Sequence, residues 1–353
     1  MNAHAWGGII EAYRAFLPPV STVVTLHEGA TPLVPSEPTS RRLGRPVWLK
    51  IEGSNPTGSF KDRGMTVAVS QAAGQRARGV ICASTGNTAA SAAAYAARAG
   101  LRCVIVLPHG AVARGKLVQA TVHGARVVAV DGGFETAMDL ARAASRESGF
   151  VLVNSLNPLR LEGQTTAAFE ICDALGRSPA TLVLPVGNGG NITAYWMGFC
   201  RYYSAGRIDR RPRMIGVQAE GANPLVRGEP VPRPQTVASA IRIGRPANWE
   251  GAVGAATASG GRFIQVSDAE ITEAQQALAS EGIFVEPASA AAVAGAWRLA
   301  GTDRDGGDLG RDDGDLVCVL TGHGLKDPDA VPRADPIRIP AALDALREVI
   351  EES

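Results

Sequence analysis

Thr181-Leu182-Val183-Leu184-Pro185-Val186-Gly187-Asn188-Gly189-Gly190-Asn191-Ile192 is the stretch on which the fold turns. An unbroken apolar run of strand length meets a glycine turn, and residues 192–203 then have the length and composition of a helix. A strand feeding a helix through a tight turn is half of a βαβ unit. The same alternation extends in both directions. Residues 47–51, 79–82, 102–107, 126–130, 151–153, 181–186, 214–218 and 316–320 are predicted strands, and 63–73, 88–99, 113–123 and 135–148 predicted helices. Runs such as Val104-Ile105-Val106-Leu107 are apolar throughout, which fits strands buried on both faces. The expectation is an α/β protein of two domains, each a mainly parallel twisted sheet flanked by helices. Residues 55–154 would form the smaller domain, and residues 1–54 with 155–353 the larger one. Residues 301–315, rich in Gly and Asp, are expected as a surface loop. A cation-binding reading of that loop meets the objection that its carboxylates lack EF-hand spacing.

Composition narrows the functional classes. With 353 residues, 45% hydrophobic and 20% charged, the chain is long enough for two buried cores. Its 35 basic and 34 acidic residues nearly cancel, so no long-range field would gather nucleic acid or an anionic membrane. Five Cys contain no C-x-x-C pair, and five His show no metal-ligand spacing, so buried free thiols and no metal are expected. The first residues carry neither a basic segment before an apolar run nor a membrane-length span, so a cytoplasmic, membrane-free protein is expected.

Four short stretches carry chemistry. In Ser54-Asn55-Pro56-Thr57-Gly58-Ser59-Phe60-Lys61-Asp62-Arg63-Gly64, a loop leads into a helix with Ser59 expected as its N-cap. Lys61 then occupies the first turn, where the helix dipole disfavours an ammonium. A lysine held neutral attacks carbonyls. The competing reading is a solvated lysine paired with Asp62. Residues 187–191 offer backbone N–H groups at a helix amino terminus, a natural phosphate site. They match neither the nucleoside-triphosphate loop nor G-x-G-x-x-G, since position 192 is Ile. A monophosphate cofactor suits them, and so does a plain strand-to-helix turn. Ser84-Thr85-Gly86-Asn87-Thr88 is either a cap or a nest of neutral donors for a carboxylate. Thr321 stands at a strand end, where α/β sheets collect ligand contacts.

Taken together and in this order, these stretches resemble the fold-type II pyridoxal-phosphate enzymes of the tryptophan synthase β-like superfamily, and within it the threonine synthases. The resemblance covers nearly the whole chain. It adds Leu26-His27-Glu28-Gly29-Ala30-Thr31-Pro32-Leu33, Asn154-Ser155-Leu156-Asn157-Pro158-Leu159-Arg160-Leu161-Glu162-Gly163-Gln164, Ala240-Ile241-Arg242-Ile243-Gly244 and Glu286-Pro287-Ala288-Ser289-Ala290. The resemblance implies that Lys61 holds pyridoxal 5'-phosphate as a Schiff base and moves protons at the substrate carbons. Gly187, Asn188, Gly189, Gly190 and Asn191 would cradle the cofactor phosphate, Asn87 would bond its phenolic oxygen, and Thr321 its pyridine nitrogen. Ser84, Thr85 and Thr88 would grip the substrate carboxylate. Asn154, Ser155, Arg160 and Asn188 would receive the phosphate of O-phospho-L-homoserine, unless Arg160 merely bonds a carbonyl. A homodimer is the family's usual assembly.

Two positions depart from the family pattern, Ala111 and Thr165, where a larger residue and a lysine are usual. Lys116 is a candidate to compensate. The rival readings are a threonine or serine dehydratase, or a paralogue acting on a related amino acid, using the same cofactor residues. A silent homologue is the rival from another class, and the intact Lys61, Asn87 and Thr321 argue against it.

Overall fold

The computed structural model describes residues 6–110, 114–302, 314–328 and 336–351; Ala111, the Lys116 side chain and most of the expected Gly/Asp loop lie outside what it describes. Among the described residues, ten strands form two sheets: β1 (Leu33–Pro35), β2 (Val47–Ile51), β3 (Gly79–Ala83), β4 (Arg102–Pro108), β5 (Arg126–Val130), β6 (Phe150–Leu152), β7 (Thr181–Pro185), β8 (Arg213–Ala219), β9 (Arg262–Val266) and β10 (Leu316–Leu320). The larger sheet runs β1-β2-β10-β7-β8-β9, the smaller β5-β4-β3-β6. All pairings are parallel except β1 with β2, a short antiparallel edge. The parallel α/β architecture read from the sequence is the one observed. The edge strand β1 and strand β9 had no predicted counterpart. Both lie at the rim, where half-exposed positions dilute the apolar signal.

Each sheet is packed on both faces. The helices Pro287–Thr302 and Asp268–Ser280 cover one face of the larger sheet, and Thr166–Leu175 and Gly190–Ser204 the other. Two further clusters cover the smaller sheet, where Ala-rich Asn87–Arg98 lets helix and sheet approach closely. Four of the five cysteines are buried within this packing, and Cys200 is partly exposed.

Strand order places the functional surface. Along the chain, β7, β8 and β9 add outward on one side, and β10 then returns to lie between β7 and β2. In the smaller sheet β3, β4 and β5 add one way, and β6 returns to the opposite side of β3. Each return is a topological switch point, where the loops after neighbouring strands diverge and leave a crevice at the carboxyl ends. The two crevices face one another.

Candidate active site

A cavity of about 1190 Å³ occupies that space. The smaller sheet contributes residues 84–88 after β3 and Asn154 and Ser155 after β6; the larger contributes residues 185–192 after β7 and Thr321 after β10. Lys61, Asn87, Gly187, Asn188, Gly189, Gly190, Asn191, Thr321, Ser84, Thr85, Thr88, Asn154, Ser155 and Arg160 all line it. Every site residue named from the sequence therefore faces one space. Thr165 does not line it; its hydroxyl donates to the Glu162 carbonyl at 2.6 Å, at the junction of two helices.

Lys61 is the first residue of the helix Lys61–Gly74. Phe60 precedes it without a side-chain cap, and the Ser59 hydroxyl is buried with no partner, so the expected Ser59 cap is not formed. Asp62 explains why. Its carboxylate accepts from the Thr57 N–H at 2.7 Å and from the Thr57 and Ser91 hydroxyls at 2.6 Å, turning the preceding loop back on the helix. That arrangement also removes Asp62 as a partner for Lys61, which overturns the reading of a surface ion pair. Among the described residues Lys61 forms no hydrogen bond or ion pair, and its Nζ lies 4.1 Å from the centre of the Phe60 ring. Burial pushes this amine down to about 7, helped by the positive charge of Arg160 and opposed by Glu286.

The glycine turn is shaped by close approach. Gly189 has φ +81, and a Cβ there would stand 2.6 Å from the Asn248 carbonyl oxygen. A Cβ on Gly187 would stand 3.1 Å from Ile241 Cα. Asn188 ties the turn to the following loop, accepting from the Asn248 N–H at 2.9 Å and, through Oδ1, from the Ala247 N–H at 3.3 Å. The helix Gly190–Ser204 begins at once, so the N–H groups of its first turn lack intrahelical acceptors.

The opposite wall is made of hydroxyls and amides. The Ser84 hydroxyl accepts from the N–H groups of Gly86 and Ala89 at 3.2 and 3.3 Å, organising the start of the helix Asn87–Arg98. The hydroxyls of Thr85 and Thr88 bond no described residue. Asn154 clamps β6 to β3, accepting from the Ala83 N–H at 2.9 Å and donating to its carbonyl at 2.8 Å, which leaves one amide N–H for a ligand. Arg160 is 1% exposed and donates to the Val153 carbonyl at 2.7 Å, while its Nε has no partner. The alternative of a carbonyl contact for Arg160 thus holds for one arm of the guanidinium.

Glu286, Lys326 and Gln164 are among the cavity residues that had no role assigned from the sequence. Burial pushes the Glu286 carboxyl up to about 7, against the hydrogen bond from Asn87. Lys326 donates to the Thr57 carbonyl at 3.0 Å and to the Gln119 side chain. Gln164 Oε1 is buried without a partner. Glu286 and Gln164 stand inside stretches that carry the resemblance, but nothing in their local sequence turns them toward the cavity.

The donor set fits pyridoxal 5'-phosphate. An amine of low pKa, with no hydrogen bond or ion pair among the described residues, is ready for a carbonyl. A glycine-rich turn at a helix amino terminus is ready for a phosphate, beside the buried Asn191 Nδ2, which has no partner among the described residues. The Thr321 hydroxyl, 3.1 Å from Ser289 Oγ, offers a neutral partner for a ring nitrogen. No group of three or more His, Cys, Asp or Glu among the described residues is arranged to hold a metal.

Comparison with known proteins agrees with this geometry. The family described as pyridoxal-phosphate dependent enzyme matches residues 24–322. A threonine synthase of Mycobacterium leprae is 53% identical over 98% of the chain and 95% of its own length. A threonine synthase of Synechocystis sp. is 52% identical over 100% of the chain and 92% of its own. The processed form of threonine deaminase isoform 2 from Solanum lycopersicum shares the fold, with a TM-score of 0.73 at 23% identity over 99% of this chain and 90% of that one. With one family matched through most of its length and half of its residues shared with curated relatives, this chain belongs to the pyridoxal-phosphate dependent enzymes, in the threonine synthase family.

Proposed function

We propose that the enzyme converts O-phospho-L-homoserine and water into L-threonine and phosphate. The observation that carries this reading is one cavity in which a lysine with no hydrogen bond or ion pair among the described residues and a glycine turn face hydroxyls and Arg160. Lys61 and residues 187–191 would hold pyridoxal 5'-phosphate, which would supply the electron sink that acidifies the protons on Cα and Cβ. Lys61 takes the Cα proton and carries protons between the substrate carbons, since its pKa near neutrality suits both acceptance and return. Ser84, Thr85 and Thr88 hold the substrate carboxylate. Arg160, Ser155, Asn188 and the free N–H of Asn154 receive the phosphate group, which leaves from Cγ before water adds at Cβ. Thr321 partners the ring nitrogen, and a hydroxyl there leaves that nitrogen unprotonated.

The two sheets support a division into a domain of residues 55–154 and one of residues 1–54 with 155–353, closing on the cavity between them. A homodimer is proposed from the family resemblance alone, and a molecular mass from light scattering checks it. A cytoplasmic setting is proposed from the same resemblance; no helix among the described residues is long and apolar enough to cross a membrane.

The deciding experiment gives purified, cofactor-loaded protein O-phospho-L-homoserine and follows phosphate and threonine together. Equal release of both is expected. A 2-oxo acid formed from threonine or serine, with no phosphate released from O-phospho-L-homoserine, would replace this reading with a dehydratase. Lys61→Ala is expected to abolish the absorbance of covalently held cofactor, and its persistence would remove Lys61 from the mechanism.

A further inference from the structure

Asn87 and Glu286 meet across the cavity. Asn87 opens the helix Asn87–Arg98 beside the smaller sheet, while Glu286 immediately precedes the helix Pro287–Thr302 on the larger one. The Asn87 Nδ2 donates to Glu286 Oε2 at 3.1 Å and to Oε1 at 3.3 Å. Glu286 is 3% exposed, and its backbone N–H donates to the Gly322 carbonyl at 3.1 Å. A Cβ on Gly322 would stand 2.5 Å from Glu286 Oε1, so a glycine beside Thr321 is what makes room for the carboxyl. The charged groups facing it are Lys61, Lys326 and Asp327. Above about pH 7, where Glu286 is ionised, its carboxylate only accepts hydrogen bonds, and a side-chain amide has two chemically different ends. Glu286 therefore selects the end: Nδ2 turns toward it and Oδ1 away. One N–H of Asn87 shared between Oε1 and Oε2 would leave the other for a ligand.

We infer that Glu286 is a positioning residue, which holds the Asn87 amide in the one orientation that offers an N–H to the phenolic oxygen of pyridoxal 5'-phosphate, and does so from the opposite side of the cleft. The inference rests on the reading of Asn87 given above. A role confined to folding would change stability alike with and without cofactor, whereas a positioning role acts through Asn87 and on the cofactor.

The test measures the affinity of apo-protein for pyridoxal 5'-phosphate and the absorbance maximum of the bound cofactor, with apo-protein melting as the control for folding. Asn87→Ala and Glu286→Ala are each expected to weaken binding about tenfold, the scale of one lost hydrogen bond. They should displace the absorbance maximum alike. The double variant is expected to bind no more weakly than either single one, because both remove the same contact. Glu286→Gln, which still accepts from Nδ2, should stay within about threefold of the parent. Glu286→Asp, with the carboxyl drawn back by one methylene, should behave like Glu286→Ala, and it carries the test should that variant fail to fold. Losses that multiply to about a hundredfold in the double variant would overturn the inference. So would Glu286→Ala or Glu286→Asp binding like the parent while Asn87→Ala is impaired. An Asn87→Ala protein with parental affinity would overturn the reading of Asn87 itself, and the inference with it.

Discussion

Lys61 carries its reactivity in its surroundings. A lysine pKa held at about 7 by burial and by Arg160 leaves the amine half neutral at physiological pH. The rate at which apo-protein takes up pyridoxal 5'-phosphate should therefore rise about tenfold for each pH unit below 7 and level off above about 8. Stopped-flow absorbance across pH 5 to 9 checks this. Arg160→Gln removes one of the two causes, so the midpoint should move upward while staying below that of an exposed lysine, since burial remains. The same substitution should raise KM for O-phospho-L-homoserine more than it lowers kcat, because the proposed ground-state contact with the substrate phosphate would be lost. Lys61 and Arg160 were both recognisable from their motifs. Their mutual influence was not, because it depends on a helix crossing.

That crossing is the work of two glycines. A Cβ on Gly163 would stand 1.9 Å from the Arg63 carbonyl oxygen, and one on Gly64 2.5 Å from the Arg160 carbonyl oxygen. The helices Lys61–Gly74 and Pro158–Gln164 thus touch backbone to backbone, which brings the start of one beside Arg160 on the other. Gly163→Ala should force them apart, destabilising the fold by about 1–3 kcal/mol and loosening cofactor binding; chemical denaturation and cofactor titration measure the two effects. In the phosphate turn, Gly189→Ala combines a left-handed φ with the clash against Asn248. It should weaken cofactor binding more than Gly190→Ala, whose Cβ would meet only the Leu161 side chain at 3.3 Å. The turn itself was legible, since a glycine run between a strand and a helix is a local signal. The Gly64 and Gly163 contact was not, because each glycine sits in an ordinary helical stretch and its partner lies about a hundred residues away.

Across the whole molecule, a buried charge cluster joins the parts that frame the cavity. Arg63 bonds Glu52 through Nε at 2.6 Å and Nη2 at 2.7 Å, and Glu170 through Nη1 and Nη2 at 2.7 Å. Lys50 reaches the same Glu170 at 2.7 Å, and the Glu170 carboxylate also accepts from the N–H groups of Ala30 and Thr31. Ala30 is held at φ +46 there, a strained conformation that this carboxylate helps to retain. Strand β2, the helix that begins with Lys61, the helix Thr166–Leu175 and the amino-terminal segment are thereby fixed to one another. Burial alone would raise Glu170, but Arg63 and Lys50 outweigh it and hold the carboxyl at about 2. A depressed carboxyl stabilises the fold above its ordinary value of 4.5, and that contribution is lost as pH falls toward 2. Glu170→Gln should cost about 3–5 kcal/mol at neutral pH, because it leaves the buried Lys50 without a bonded carboxylate and Arg63 with Glu52 alone. It should also flatten the acid limb of the stability curve, as read by urea denaturation between pH 5 and 3.

By itself the sequence determined the alternation of strand and helix, the glycine turn after β7 and the place of Lys61 in the first turn of a helix. All three depend on near neighbours, through apolar periodicity, turn chemistry and helix position. Only the tertiary structure decided that Asp62 turns away from Lys61, that Asn154 clamps Ala83, and that Asn87 meets Glu286 across 199 residues of chain. Those outcomes are set by which buried polar groups find partners when the two sheets come together. A polar residue's local pattern is the same whether it ends in water or against a distant carboxylate, so the choice is made only on packing.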